Sequence, residues 1–66
     1  MTAPKIKRGD DFECYDIYDC DNYTLTALED IDEDGVVKAE FDDEYILYAQ
    51  WDEDEQYFEI DTGDAR

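Results

Sequence analysis

The sequence predicts an all-β or β-rich domain: a small antiparallel five-stranded meander curled into a barrel or half-barrel. Three observations point there. Short runs rich in Tyr, Phe, Val and Ile alternate with acids at a period of two, as strands with one wet face do. Clusters of Asp, Asn and Gly punctuate these runs at hairpin-length intervals. The chain has 66 residues, which allows one domain, near the lower limit for a core without covalent staples.

The first strand-like segment is "FECYDIYDC", residues 12–20, in which Phe12, Cys14, Asp16, Tyr18 and Cys20 share a face and Tyr15 and Ile17 lie opposite. On one strand, Cys14 and Cys20 would stand about 20 Å apart at ~3.3 Å per residue. No disulfide spans that, so two reduced, buried thiols are expected. In "YTLTALEDI", residues 23–31, Leu25, Ala27 and Ile31 alternate as a strand would, while the Thr26-x-x-Glu29 spacing suits a capped helix. A helix there would give an α+β fold, with a short helix at about 24–31 on a four-stranded sheet. Residues 36–41 put Val37, Ala39 and Phe41 on one face. Residues 45–51 put Tyr45, Leu47, Ala49 and Trp51 on one side, with Ile46 and Tyr48 on the other. The last strand, 56–60, follows "DEDE", residues 52–55, long enough for a four-residue hairpin loop. Flanking these are a basic tail at 1–9 and a polar C-terminal tail at 62–66, leaving a single acidic domain at 10–61. The stretches "KRGDDFECYDI" and "DEDGVVKAEFDDE" resemble the strand starts and hairpins of SH3-like barrels, and that resemblance implies an SH3-like half-barrel.

Charge is the dominant feature. The net charge is -17, and Lys38 is the only base between Gly9 and Ala65. That interval carries all 22 acids against one lysine, a net of -21. Such a surface repels nucleic acid and anionic membranes and attracts proteins with basic grooves. Ten aromatic residues (six Tyr, three Phe and one Trp) supply enough apolar surface to favour a folded domain over disorder. No run without a charge exceeds the seven residues of "YILYAQW", so neither a signal peptide nor a membrane span is expected, and the expected compartment is cytoplasmic.

Much chemistry is excluded by absent residue types. The chain has no His and no Ser, which removes Ser-His and Cys-His nucleophile pairs, imidazole metal ligands and most neutral-pH proton shuttles. Two Cys do not complete a structural zinc site, and no glycine-rich phosphate loop is present. "DTG", residues 61–63, resembles the aspartic-protease triplet, but only three residues follow it, so it reads as a C-terminal turn. No catalytic residue and no cofactor is expected.

"EDIDEDGVV", residues 29–37, opens like an EF-hand loop, with Asp30, Asp32 and Asp34 alternating before Gly35. At one acid in three such alternation arises by chance, and it recurs at Glu40, Asp42 and Glu44. The twelfth loop position, where a bidentate Glu belongs, is Phe41, and the residues after Gly35 look like a strand. The stretch therefore reads as a turn, with a calcium-binding acidic hairpin as the alternative.

Ordinary surfaces intersperse both signs of charge, so the missing lysines call for an explanation. Rows of carboxylates on strands and turns can match a phosphate ladder loosely. In charge and size the chain is similar to the small phage-encoded DNA mimics that block restriction enzymes, CRISPR effectors, uracil-DNA glycosylase or nucleoid proteins. That resemblance implies an inhibitor, monomeric or a small homo-oligomer, working in the host cytoplasm. Its partner would be a basic nucleic-acid-binding protein, with no direct contact to nucleic acid or membrane. The expected phosphate surrogates are Asp30, Asp32, Glu33 and Asp34; Asp42, Asp43 and Glu44; and Asp52, Glu53, Asp54 and Glu55, on three turns converging at one end or edge of the sheet. Exposed Tyr15, Tyr48 or Tyr57 would add stacking where a base would lie.

The competing account is adaptation of a cytosolic protein to molar salt. A melt against KCl separates the two. A mimic is expected to be folded already at ~0.1 M, where the Debye length is about 10 Å; a domain that stays unfolded until molar KCl is halophilic instead.

Overall fold

The computed structural model describes residues 3–64 and is all-β. Its strands are β1 (Asp11–Asp16), β2 (Asp21–Ala27), β3 (Val36–Phe41), β4 (Tyr45–Asp52) and β5 (Tyr57–Ile60), followed by one 3-10 turn, Thr62–Asp64. They form a closed barrel in chain order. Consecutive strands pair antiparallel. An odd number of alternating strands brings the first and last together pointing the same way, so β1 and β5 close the barrel in parallel, with Cys14 opposite Phe58 and Asp16 opposite Ile60. The result is a small closed barrel of SH3-like kind.

Two expectations need correction. The first strand does not run to residue 20, because it ends at Asp16. The Asp16 carboxylate accepts the main-chain N–H groups of Tyr18 and Asp19 at 3.0 and 3.3 Å, which folds residues 17–20 into a turn. Cys20 then takes a left-handed φ of 58° and lies exposed, so only Cys14 is a buried thiol. The helix at 24–31 does not form. Residues 21–26 pair one for one with β1, and the Thr26 hydroxyl donates to Asp11 across the ladder instead of capping a helix. No helix among the described residues is long and apolar enough to cross a membrane.

The period-two pattern fills the interior. Phe12, Cys14, Leu25, Ala27, Val37, Ala39, Leu47, Ala49, Phe58 and Ile60 are buried. Ala27, Ala39 and Ala49 sit at the middle, where Ala27 faces Ala39 and Val37 faces Ala49 across the ladders. Small side chains there let so short a sheet curl on itself without overpacking. Aromatic rings plug both ends. At the end where β1 begins, the lower end, Phe58 meets Phe12 and Trp51 edge-on, each pair at 5.0 Å. At the upper end Phe41 lies 4.9 Å from Tyr23.

The structured part reaches beyond residues 10–61. In the basic N-terminal segment, Ile6 packs on the core and its carbonyl accepts from Ile31 N–H at 2.9 Å. Gly9, at φ 93°, donates to the Ala27 carbonyl. At the other terminus, Thr62 donates to Asp16 from both its hydroxyl, at 2.6 Å, and its main-chain N–H, at 3.0 Å. Met1, Thr2, Ala65 and Arg66 lie outside the described residues.

Asp16 is thus a fully buried carboxylate holding the β1–β2 turn and the β5 exit together. Burial pushes its pKa up, but the hydroxyl and N–H of Thr62 and the N–H groups of Tyr18 and Asp19 outweigh that and hold it below the usual carboxylate range. Thr62→Val is expected to cost about 2 kcal/mol, and Asp16→Ala about 3 kcal/mol, in chemical denaturation. A group whose folded pKa is depressed stabilises above its unfolded value, near 4, and loses that stabilisation as pH falls through the folded value. Relief of repulsion among the remaining acids acts in the opposite direction. The readout is therefore the stability gap between wild type and Asp16→Asn, which should be full at pH 6 and shrink below about pH 4.

The Cys14 thiol is pushed up to about 12, first by burial and then by the charge of Glu13. One thiol per chain, Cys20, is expected to react promptly with a disulfide reagent in native buffer, and the second only in denaturant. Prompt reaction of both would contradict the barrel interior described.

Candidate functional site

In a meander, alternate turns lie at opposite ends, and this decides where the acids go. The β2–β3 loop, with Asp30, Asp32, Glu33 and Asp34, and the β4–β5 turn, with Asp52, Glu53, Asp54 and Glu55, share the lower end. They are in contact there, since the Gln50 side chain donates to the Asp34 carbonyl, and Asp32, Glu33, Asp34 and Glu53 line one cavity of about 370 Å³. The β3–β4 turn, with Asp42, Asp43 and Glu44, is at the upper end. The three clusters therefore do not converge. Strand parity was the signal in the sequence that separates them.

Not every acid at the lower end is free to face a partner. Asp32 Oδ1 accepts from the N–H groups of Asp34 and Val36, both at 2.9 Å, and makes the turn that the sequence marks with Asp-Gly. Gly35 is required there: its φ is 81°, and a Cβ would stand 3.2 Å from that of Trp51. Asp52 Oδ1 similarly accepts from Asp54 and Glu55, and Asp30 Oδ1 from the main-chain N–H of Arg8. That leaves Glu33, Asp34, Glu53, Asp54 and Glu55 projecting into solvent without such a bond. Among the described residues no three acids or thiols are grouped so as to hold a metal ion.

The upper end is acidic as well. Asp42 and Asp43 both take left-handed conformations, φ 60° and 58°, in a turn where Asn-Gly is the conformationally preferred pair. Glu40 is pushed up by its hydrogen bond with Asp43, together with burial and the Asp43 charge. Asp19, Asp21 and Asp61 lie at the same end, in the β1–β2 turn and the β5 exit. Asp19 accepts from the Tyr23 hydroxyl at 2.8 Å, and that bond, with burial and neighbouring acids, pushes the phenol up to about 12. Tyr18, 68 % exposed, and Tyr45 stand beside these acids.

Of the tyrosines expected to offer a stacking face, Tyr48 does so on the outer side of β4. Tyr15 and Tyr57 are half-buried and pack against each other with ring centres 5.3 Å apart. Sequence reasoning did not single out Tyr18 and Tyr45 as exposed aromatics, because it grouped Tyr18 with Phe12 and Cys14, and Tyr45 with Leu47 and Ala49, on one strand face. It also missed Thr62, which acts only once the closing seam places it over Asp16.

Comparison of the chain with known protein families, characterised proteins and solved structures finds no match to any of them.

Proposed function

We propose that the protein is a non-enzymatic inhibitor that imitates nucleic acid and occupies the groove of a basic target, in the cytoplasm of a cell whose defence nuclease or CRISPR effector it disables. The observation that carries this reading is the placement of the acids. Every acid from Asp10 to Asp61 other than Asp16 is exposed or half-buried, they crowd the turns at both ends, and Lys38 is the only base on the strands. The Asp42–Asp43 turn adds support. Non-glycine residues in the left-handed region cost of order 1 kcal/mol each, so this turn holds two charges where backbone preference alone favours Asn-Gly.

A groove built for phosphates gains from such a surface what it gains from DNA, namely steering over a Debye length and release of counterions. Two acidic ends on a body 29 × 24 × 16 Å present charge to both walls of a groove at once. Exposed Tyr18, Tyr45 and Tyr48 supply apolar contact of the kind that dominates interface energetics.

The test is capture from bacterial lysate on immobilised protein at about 50 and 300 mM salt, followed by titration of the captured protein with duplex DNA. Binding should fall by at least about tenfold between the two salts and be displaced competitively by DNA. The double variant Asp42→Asn, Asp43→Asn and the triple variant Glu53→Gln, Asp54→Asn, Glu55→Gln should each flatten the log-log salt dependence by about one unit per lost contact. Salt-insensitive capture, or a captured protein that still holds its DNA, would overturn the reading.

A further inference from the structure

The closing seam does not run the full length of the barrel. β1 and β5 pair only at Cys14–Asp16 and Phe58–Ile60, so the first residues of β1 and the β4–β5 turn part below it. Between them opens a second cavity of about 370 Å³. Its walls are aromatic: Phe12, Trp51, Tyr57 and Phe58 line it, roofed by Pro4 and Ile6 of the N-terminal segment. Glu13, exposed on the outward side of β1, and Gln56 are its polar members, and no lysine or arginine is among its lining residues. Aromatic walls with a carboxylate at the mouth, on a chain this acidic, specify the chemistry of an occupant.

We infer that this cavity receives an arginine side chain from the basic partner, the guanidinium lying against the aromatic rings and donating to Glu13. The inference rests on the mimicry reading for the origin of that arginine. A cation over an aromatic face is attracted by the ring quadrupole, most strongly where water is excluded. Guanidinium suits the site better than ammonium because it is planar, stacks on rings, is weakly hydrated, and meets a carboxylate with two parallel N–H donors. The volume, about 370 Å³ in a groove open to solvent, has room for such a side chain and not for a folded segment. The local field has the right sign, since Asp52, Glu55 and Glu59, after burial, push the Tyr57 phenol up. Purely apolar occupants gain nothing from that field, and nucleic acid is repelled by it. The arrangement is a hot-spot pocket set among acids that steer but contribute little apolar contact.

Trp51 is the only tryptophan in the chain and lines the cavity, so its emission reports occupancy directly. The probe is the tripeptide acetyl-Gly-Arg-Gly-amide, with the lysine and leucine analogues as comparators, at fixed ionic strength. The arginine peptide should change Trp51 emission saturably and shift amide resonances at residues 12–13 and 56–58. The exposed-site variant Glu13→Gln should weaken it about tenfold, whereas Asn22→Ala, exposed at the upper end, should leave it unchanged. Equal response to the leucine peptide would mean an apolar pocket only, and equal response to the lysine peptide would remove the guanidinium assignment. Resonance shifts spread over all the acidic turns, or no saturation at all, would overturn the site itself. The titration contains no nucleic-acid-binding protein. A negative result therefore counts against the pocket alone, and a failed DNA competition counts against the mimicry alone.

Discussion

The architecture depends on one buried carboxylate. Five alternating strands can close only by setting β5 parallel to β1, and that seam is just three residue pairs long. Asp16 stands at its upper limit, fully buried, and gathers donors from the β1–β2 turn and from the residue that follows the β5 exit. No cation lies among these partners; the charge is held by N–H and hydroxyl groups. Such an arrangement is stable only while every donor is in place, because an ionised group left short of partners in the interior is costly. The carboxylate that terminates β1 is thus the same one that ties the exit of β5 to it.

Against this closure works the self-repulsion of the remaining acids. Two like charges 10 Å apart in water repel by about 0.4 kcal/mol, which is small for one pair but accumulates over many. The fold moderates the sum by sending its acidic turns to opposite ends of the barrel and by using several carboxylates as main-chain acceptors. The interior answers with alanines that permit tight curvature and aromatic rings that seal both ends. A chain with this balance is most comfortable where cations surround it.

Much of the fold was legible because period-two alternation is local. Residues 36–41 are β3 as read, and β4 exceeds the reading by a single residue, Asp52. The first strand was misread because Tyr18 and Cys20 continue the alternation of Phe12, Cys14 and Asp16. Nothing local says that Asp16 will turn its carboxylate back on the chain, because half of its partners come from Thr62, 46 residues away. The acidic clusters were legible as turns, but their division between two ends follows from strand order and appears only when the meander is followed through. The seam cavity was illegible, since Phe12, Glu13, Trp51 and Tyr57 meet only through the register of three strands.

The left-handed pair Asp42–Asp43 places folding and charge in direct opposition. A laboratory screen that rewarded heat resistance alone would drift towards Asn-Gly at this corner, relaxing the backbone and removing two negative charges in the same step. Under the mimicry proposed above, hardier descendants of such a screen would be poorer imitators of a polynucleotide. On that proposal, a screen of this molecule would have to read binding as well as survival.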